Sequence, residues 1–213
     1  MRIAILTSGR FHVLDLAREL ASFGHDVRFY SLLPRWRTRQ FGLPDECNQW
    51  LGPYVAPFYA AAFAARGTAA QSLMDNALIA ALDVAASKLI APCDAFIGMS
   101  GMCLRTIEHL RRGGGGTRIF LERGSKHIVE QRRILQEAWS RQSGHGRRHL
   151  SAWTVARELA EYALVDRVSV PSRHAARSFV ERGFPEDQLL VNPYGVALDM
   201  FRAHLHAPTG TPT

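Results

Sequence analysis

The sequence predicts an α/β domain built on a doubly wound parallel sheet, Rossmann-like and single. Short apolar runs alternate with stretches of helical periodicity along most of the chain, the pattern left by successive strand–helix–strand units. The first such unit has the length that a right-handed parallel crossover requires. The 213 residues, 47% hydrophobic and 21% charged, suffice for one domain with a sizeable core and are short for two.

Arg2-Ile3-Ala4-Ile5-Leu6 reads as the first strand and ends in Thr7-Ser8-Gly9. Val13, Leu14, Ala17, Leu20 and Ala21 then recur at helical spacing until Gly24, and a second strand follows over residues 27–31. Residues 32–68 are less regular. Pro34, Pro44, Pro53 and Pro57 stand there beside Trp36, Trp50, Phe58 and Phe63, so broken helices are expected. An Ala-rich helix over 69–90 leads to a strand at 94–98, a helix at 103–112, a turn of four glycines and a strand at 118–122. Ile128, Leu135 and Trp139 mark the buried stripe of a further helix, with Arg132, Arg133 and Arg141 on its other faces. A helix at 150–163, a strand at 165–170, a helix at 173–182 and a strand at 189–192 complete the predicted domain.

This composition excludes a disordered chain, a collagen-like chain and a disulfide-stapled miniprotein. Cys47, Cys93 and Cys103 lack CxxC spacing and read as buried free thiols of a reducing compartment. The apolar stretch at residues 55–65 is too short to span a bilayer and the opening residues do not form a signal peptide, so a cytoplasmic location is expected. The net charge of +7 lies within residues 102–150, which hold eleven Lys and Arg against four Asp and Glu. Such a patch attracts phosphate in nucleotides, anionic lipid or nucleic acid, and a solvated surface would look the same. Peripheral contact with an anionic membrane is one expectation. No helix-turn-helix, RNP motif or aromatic-interleaved basic strand supports nucleic acid as a partner.

In a doubly wound sheet the ligand crevice lies beyond the carboxyl ends of the strands. The loops there are Thr7-Ser8-Gly9-Arg10, Met99-Ser100-Gly101, Arg123-Gly124-Ser125 and Pro171-Ser172. Each joins Gly or Ser to a helix start, where free N–H groups and the dipole favour an anion, and Arg10 and Arg123 add charge-assisted donors. The first loop lacks GxGxxG and no GxxxxGK[ST] occurs, which removes the dinucleotide fingerprint and the NTPase phosphate loop. The sequence Gly98-Met99-Ser100-Gly101 misses the spacing of a nucleophile elbow. His145 and His149 have ligand-like spacing but sit among Arg147 and Arg148, and Asp-x-Asp is absent, so no metal is expected.

Three blocks together resemble the N-terminal half of family-4-type glycosyltransferases of the GT-B fold. They are the opening residues 2–9 with Gly24-His25-Asp26-Val27, the block Glu122-Arg123-Gly124-Ser125-Lys126-His127-Ile128, and Val170-Pro171-Ser172 followed by Val191-Asn192-Pro193-Tyr194-Gly195-Val196 and Phe201. The third is the most specific, since all its elements occur in family order. The resemblance covers residues 1–202. It implies an acceptor-binding domain that works with a C-terminal domain holding a nucleotide-sugar donor, with retention of anomeric configuration, no metal and no other cofactor. The acceptor would be a sugar or a lipid-linked acceptor.

Carried over position by position, Gly9 lies where the family's first loop approaches the donor diphosphate or the acceptor. Glu122 or Arg123 falls near the place where many members keep a cleft His. His127 reads either as an acceptor contact or as a helix-start residue, and Ser172 either as a substrate contact or as a helix cap. Ser100, Gly101 and Ser125 join Gly9 and Arg10 as acceptor- or phosphate-binding candidates. Tyr194 and Gly195 read as interdomain hinge or turn residues, Gly195 with the freedom to take a positive φ. Family members carry a Glu-x7-Glu pair in the second domain, whereas residues 203–213 here are linker-like. The expectation is a truncated product, a split enzyme that needs a separate C-terminal polypeptide, or an isolated domain with little transferase activity alone. The rival is a non-catalytic acceptor- or protein-binding module derived from a half-enzyme.

Overall fold

The computed structural model describes residues 1–114, 116–141 and 150–195. Seven strands form one sheet: β1 (Arg2–Leu6), β2 (Asp26–Ser31), β3 (Asn48–Trp50), β4 (Ala95–Met99), β5 (Arg118–Glu122), β6 (Arg167–Val170) and β7 (Leu189–Val191). Their order is β3-β2-β1-β4-β5-β6-β7 and every pairing is parallel, so the sheet is the predicted doubly wound one. The order reverses between β1 and β4, where Ile5 stands opposite Phe29 on one side and Ile97 on the other. That reversal opens a crevice at the carboxyl ends of the two strands.

The eight helices among the described residues are α1 (His12–Ser22), α2 (Arg35–Arg39), α3 (Gly52–Ala64), α4 (Gln71–Leu89), α5 (Leu104–Arg112), α6 (Ile128–Arg141), α7 (Ala152–Tyr162) and α8 (Arg173–Val180). Alternate strand residues face the two layers. Ile3 and Ile5 pack with Val13, Leu14 and Ala17 of α1 and with Phe29. Ala4, Leu6 and Phe96 face Leu82 of α4, Ile107 of α5, Val155 of α7 and Phe179 of α8. Burial on both faces explains why the central strands read as unbroken apolar runs. Cys47, Cys93 and Cys103 are free and buried.

Residues 32–68 depart from the expected broken helices. They contain α2, a 3-10 turn at Asp45–Cys47, the edge strand β3 and one continuous helix, α3, with Pro57 inside it. Pro53 lies in the first turn of α3, where a missing N–H costs nothing, and Pro57 leaves only the Pro53 carbonyl without its helical donor. In α6 Ile128 is fully buried, while Leu135 and Trp139 are half-buried, so the stripe is shallower than predicted. No helix among the described residues is long and apolar enough to cross a membrane.

Candidate functional site

The crevice is floored by the ends of β1, β4 and β5. Thr7 leaves β1 buried, and its hydroxyl donates to the Gly9 carbonyl at 3.2 Å, curling the loop toward α1. Gly9 faces open space, and Arg10 is exposed with its guanidinium 3.8 Å above the Phe41 ring. The Phe11 side chain that precedes α1 does not cap it, which leaves first-turn N–H groups at the crevice.

His12, the first residue of α1, reaches Glu122 at the end of β5, with Nε2 3.1 Å from Oε2. Glu122 is nearly buried, whereas a quarter of the His12 side chain remains exposed. A carboxylate accepts only, so Nε2 carries a proton, and in the neutral imidazole Nδ1 is left as an acceptor. The Tyr194 ring lies against His12 with centroids 4.4 Å apart. Burial, then the charge of Glu122, pushes the Tyr194 phenol up. A Cβ on Gly124 would sit 2.7 Å from the Tyr194 hydroxyl, so glycine makes room for this ring. Tyr194 thus forms a wall of the crevice, while Gly195 has open space around it and does not adopt the positive φ allowed for it. Val196 and Phe201 of the same motif, and the expected boundary at residue 202 with its 203–213 tail, lie outside the described residues.

The other loops are held from within. Gly101 N–H and Cys103 N–H donate to the buried carboxylate of Glu161 on α7, at 2.5 and 2.8 Å. Asp83 on α4 accepts from Arg105 N–H at 2.7 Å and Thr106 N–H at 2.9 Å, capping α5 from another helix. The Ser100 hydroxyl donates to Glu158 at 2.7 Å. The Ser100–Gly101 loop, expected to receive an anion, therefore already has its donors satisfied by buried carboxylates. Gly101 takes φ +86° there, with Glu158 Oε1 3.3 Å from where a Cβ would be.

Arg123 is likewise turned inward. Its Nε donates to the Lys126 carbonyl at 3.1 Å, and its terminal nitrogens contact Glu158 at 3.4 Å and the Gln131 side chain. These contacts brace the loop after β5 against α6 and α7, in place of the phosphate contact expected of this side chain. Ser125 lies 3.2 Å from the same Gln131 oxygen. Ser172 caps α8 by accepting from Ala175 N–H at 3.2 Å.

His127 adopts the helix-start role. It is buried against Tyr162 and Phe179, with ring centroids 5.2 and 5.0 Å away, and its Nδ1 accepts from Val129 N–H at 3.3 Å. Burial, reinforced by Arg182 and Arg123, pushes its imidazole down to about 4. Between pH 6.5 and about 4 the unfolded chain binds a proton that the folded chain refuses, so this residue's contribution to stability is lost as pH falls through that window. His127→Phe keeps the ring packing without the titration. Its Tm relative to wild type is expected to rise as pH drops from 7 to 4, and a pH-independent gap in thermal melts would contradict this role.

Sequence reasoning passed over His12, Glu158, Glu161 and Asp83. Glu158 was detectable as a carboxylate at helical spacing between Val155 and Tyr162 on the buried stripe of α7. Glu122 and Glu130 also repeat the Glu-x7-Glu spacing inside this chain. Their roles differ: Glu130 binds Arg133 and Arg182, which hold its carboxyl at about 2, while Glu122 faces His12. Among the described residues no group of three or more His, Cys, Asp or Glu could hold a metal ion, and His145 and His149 lie outside those residues.

Comparison with known proteins places this geometry in a wider fold. No protein-family profile and no curated protein sequence matches the chain. Solved structures do. A UDP-N-acetylglucosamine 2-epimerase from Rickettsia bellii matches 91% of this chain with a TM-score of 0.52 and 14% identity. A UDP-GlcNAc 2-epimerase from Methanocaldococcus jannaschii matches 90% with a TM-score of 0.54 and 10% identity. The likeness is one of fold: the chain has the architecture of one half of a GT-B structure. It spans 45% of the length of each epimerase.

Proposed function

We propose that the chain is the acceptor-side domain of a metal-independent, retaining glycosyltransferase of the family-4 type. It acts in the cytoplasm with a second domain that holds the nucleotide-sugar. Support comes from the three sequence blocks, from a fold that is half of a GT-B structure, and from the free buried thiols suited to a reducing compartment. The observation that carries the reading is the His12–Glu122 pair beneath Tyr194, at the crevice where such a sheet binds ligand.

In this reading Glu122 fixes the His12 ring so that Nδ1 faces the acceptor. The acceptor hydroxyl oxygen attacks the anomeric carbon on the face from which the nucleoside diphosphate departs, so the new bond forms as the old one breaks with retention, and the hydroxyl proton passes to His12. First-turn N–H groups of α1 and the exposed cation of Arg10 favour the departing diphosphate. A second reading, a non-catalytic acceptor- or protein-binding module, is favoured by the inward engagement of Ser100, Gly101 and Arg123 with the carboxylates of α7.

The test is an NMR titration of the chain with nucleotide-sugars, small saccharides and a polyprenyl-phosphate sugar. An assay for nucleoside diphosphate release with a donor-side domain added follows. Saturable shifts at Gly9, Arg10, His12 and Glu122 with an acceptor, followed by transfer, support the enzyme. Acceptor binding without transfer supports the binding module. No response at these residues to any compound overturns the enzyme and the acceptor-binding module.

A further inference from the structure

A second surface lies between α3 and α4, on the helix pair that follows the edge strand β3, and shares no lining residue with the crevice. Following β3, α3 carries no charged residue, and no Asp or Glu occurs between Cys47 and Met74. A helix that is apolar all round normally lies inside a protein or in lipid. Here only Val55 and Ala62 of α3 are buried, while Tyr54, Phe58, Tyr59 and Phe63 are 45–60% exposed. Between α3 and α4 runs a groove of about 600 Å³, with Tyr54 and Phe58 on one wall and alanines, Val84 and Leu89 of α4 on the other. Contiguous apolar exposure of this kind marks an interaction surface.

The charges at its borders indicate what covers it. Arg66, just beyond α3, lies 4.7 Å over the Phe63 ring, and Lys88 stands at the lip of the groove. Of the two carboxylates on α4, Asp83 is buried against Arg157, and Asp75 alone is exposed. Aromatic side chains on an uncharged helix, with cations at the edges, suit the boundary between acyl chains and anionic headgroups.

We propose that the α3–α4 pair is a membrane-docking element that inserts its aromatic face into the interface of an anionic bilayer. The groove is lined by none of the described residues of the basic 102–150 segment, in which Arg105, Arg111, Arg123 and Arg133 are engaged in ion pairs. One side of α3 already packs against the domain through Val55 and Ala62, and the remaining aromatic side, uncharged along its length and bordered by Arg66 and Lys88, matches a boundary of acyl chains and anionic headgroups. The proposal does not depend on the reaction assigned to the crevice.

The test is co-sedimentation of the full chain with phosphatidylcholine vesicles and with vesicles containing phosphatidylglycerol. The chain is expected to favour the anionic vesicles. Substituting Tyr54, Phe58 and Phe63 together by Ser is expected to lower binding at least tenfold with the fold intact by circular dichroism, since all three are exposed. Reversing Arg66 and Lys88 to Glu should cost roughly fivefold or more per cation on anionic vesicles only. The proposal fails if the wild type sediments with neither vesicle, or if the serine variant binds as well as wild type. It also fails if light scattering shows a dimer that these serines dissociate, which would make the patch a contact between two copies.

Discussion

Arg157→Leu is expected to destabilise the fold by about 3–5 kcal/mol in urea denaturation, because it leaves buried carboxylates without their cation. Arg157 is buried on α7, and its Nε donates to the Gly101 carbonyl at 2.9 Å while lying 3.8 Å from Glu161. A terminal nitrogen pairs with Asp83, which is fully buried. One guanidinium therefore joins the cap of α5, the loop after β4 and the carboxylate beneath that loop. The loss carries a pH signature. Burial pushes Glu161 up to about 7, against the Gly101 and Cys103 N–H groups and Arg157, which favour the ionised form. Since this value lies above the unfolded one, Glu161 favours folding at low pH, and that contribution is lost as pH rises through about 7. Without Arg157 the ionised form costs more, so the deficit should be largest above pH 7 and shrink toward pH 5. His127 titrates in both proteins and cancels in the difference. A deficit below about 1 kcal/mol, or one that grows toward pH 5, would contradict the network.

The same network shows where sequence reasoning reaches and where it stops. β1, β4 and β5 were legible because burial on both faces leaves apolar runs, and β2 because it closes the first strand–helix–strand unit despite the exposed Arg28. The loops facing the crevice then followed from topology alone. β3 was illegible: Asn48-Gln49-Trp50 has no alternation and is a strand because it pairs with Phe29–Ser31. The prolines of α3 suggested breaks where its first turns tolerate them. Within the loops, sequence identified backbone groups fit for an anion but not the internal anions already there. Glu161 and Asp83 come from other helices, and the Gly101 and Cys103 contacts to Glu161 span 60 and 58 residues. Arg123 was read correctly as a loop cation, yet its direction depends on Glu158 and Gln131, which only packing brings near.

His12 extends that lesson to function, since its partner Glu122 is 110 residues away. With sugar transfer reconstituted by a donor-side domain, His12→Ala is expected to lower kcat/KM by about 10²–10⁴-fold, the range for losing a positioned general base. Most of that should appear in kcat, because the proton moves only as the new bond forms. Glu122→Ala releases the ring and should approach the same loss. Glu122→Gln keeps an oxygen that can accept from Nε2 and should retain more activity, so the order of the two Glu122 variants separates orientation of the ring from simple packing. Thermal melts of all three serve as the control. Removing the imidazole leaves the nearly buried Glu122 carboxylate without that partner, so His12→Ala is expected to lose about 1–3 kcal/mol of stability and still to melt well above the assay temperature. Wild-type transfer by His12→Ala would remove the imidazole from the reaction and leave the crevice as a binding site alone. A large loss confined to KM would place His12 in acceptor binding, with the proton leaving on the departing phosphate.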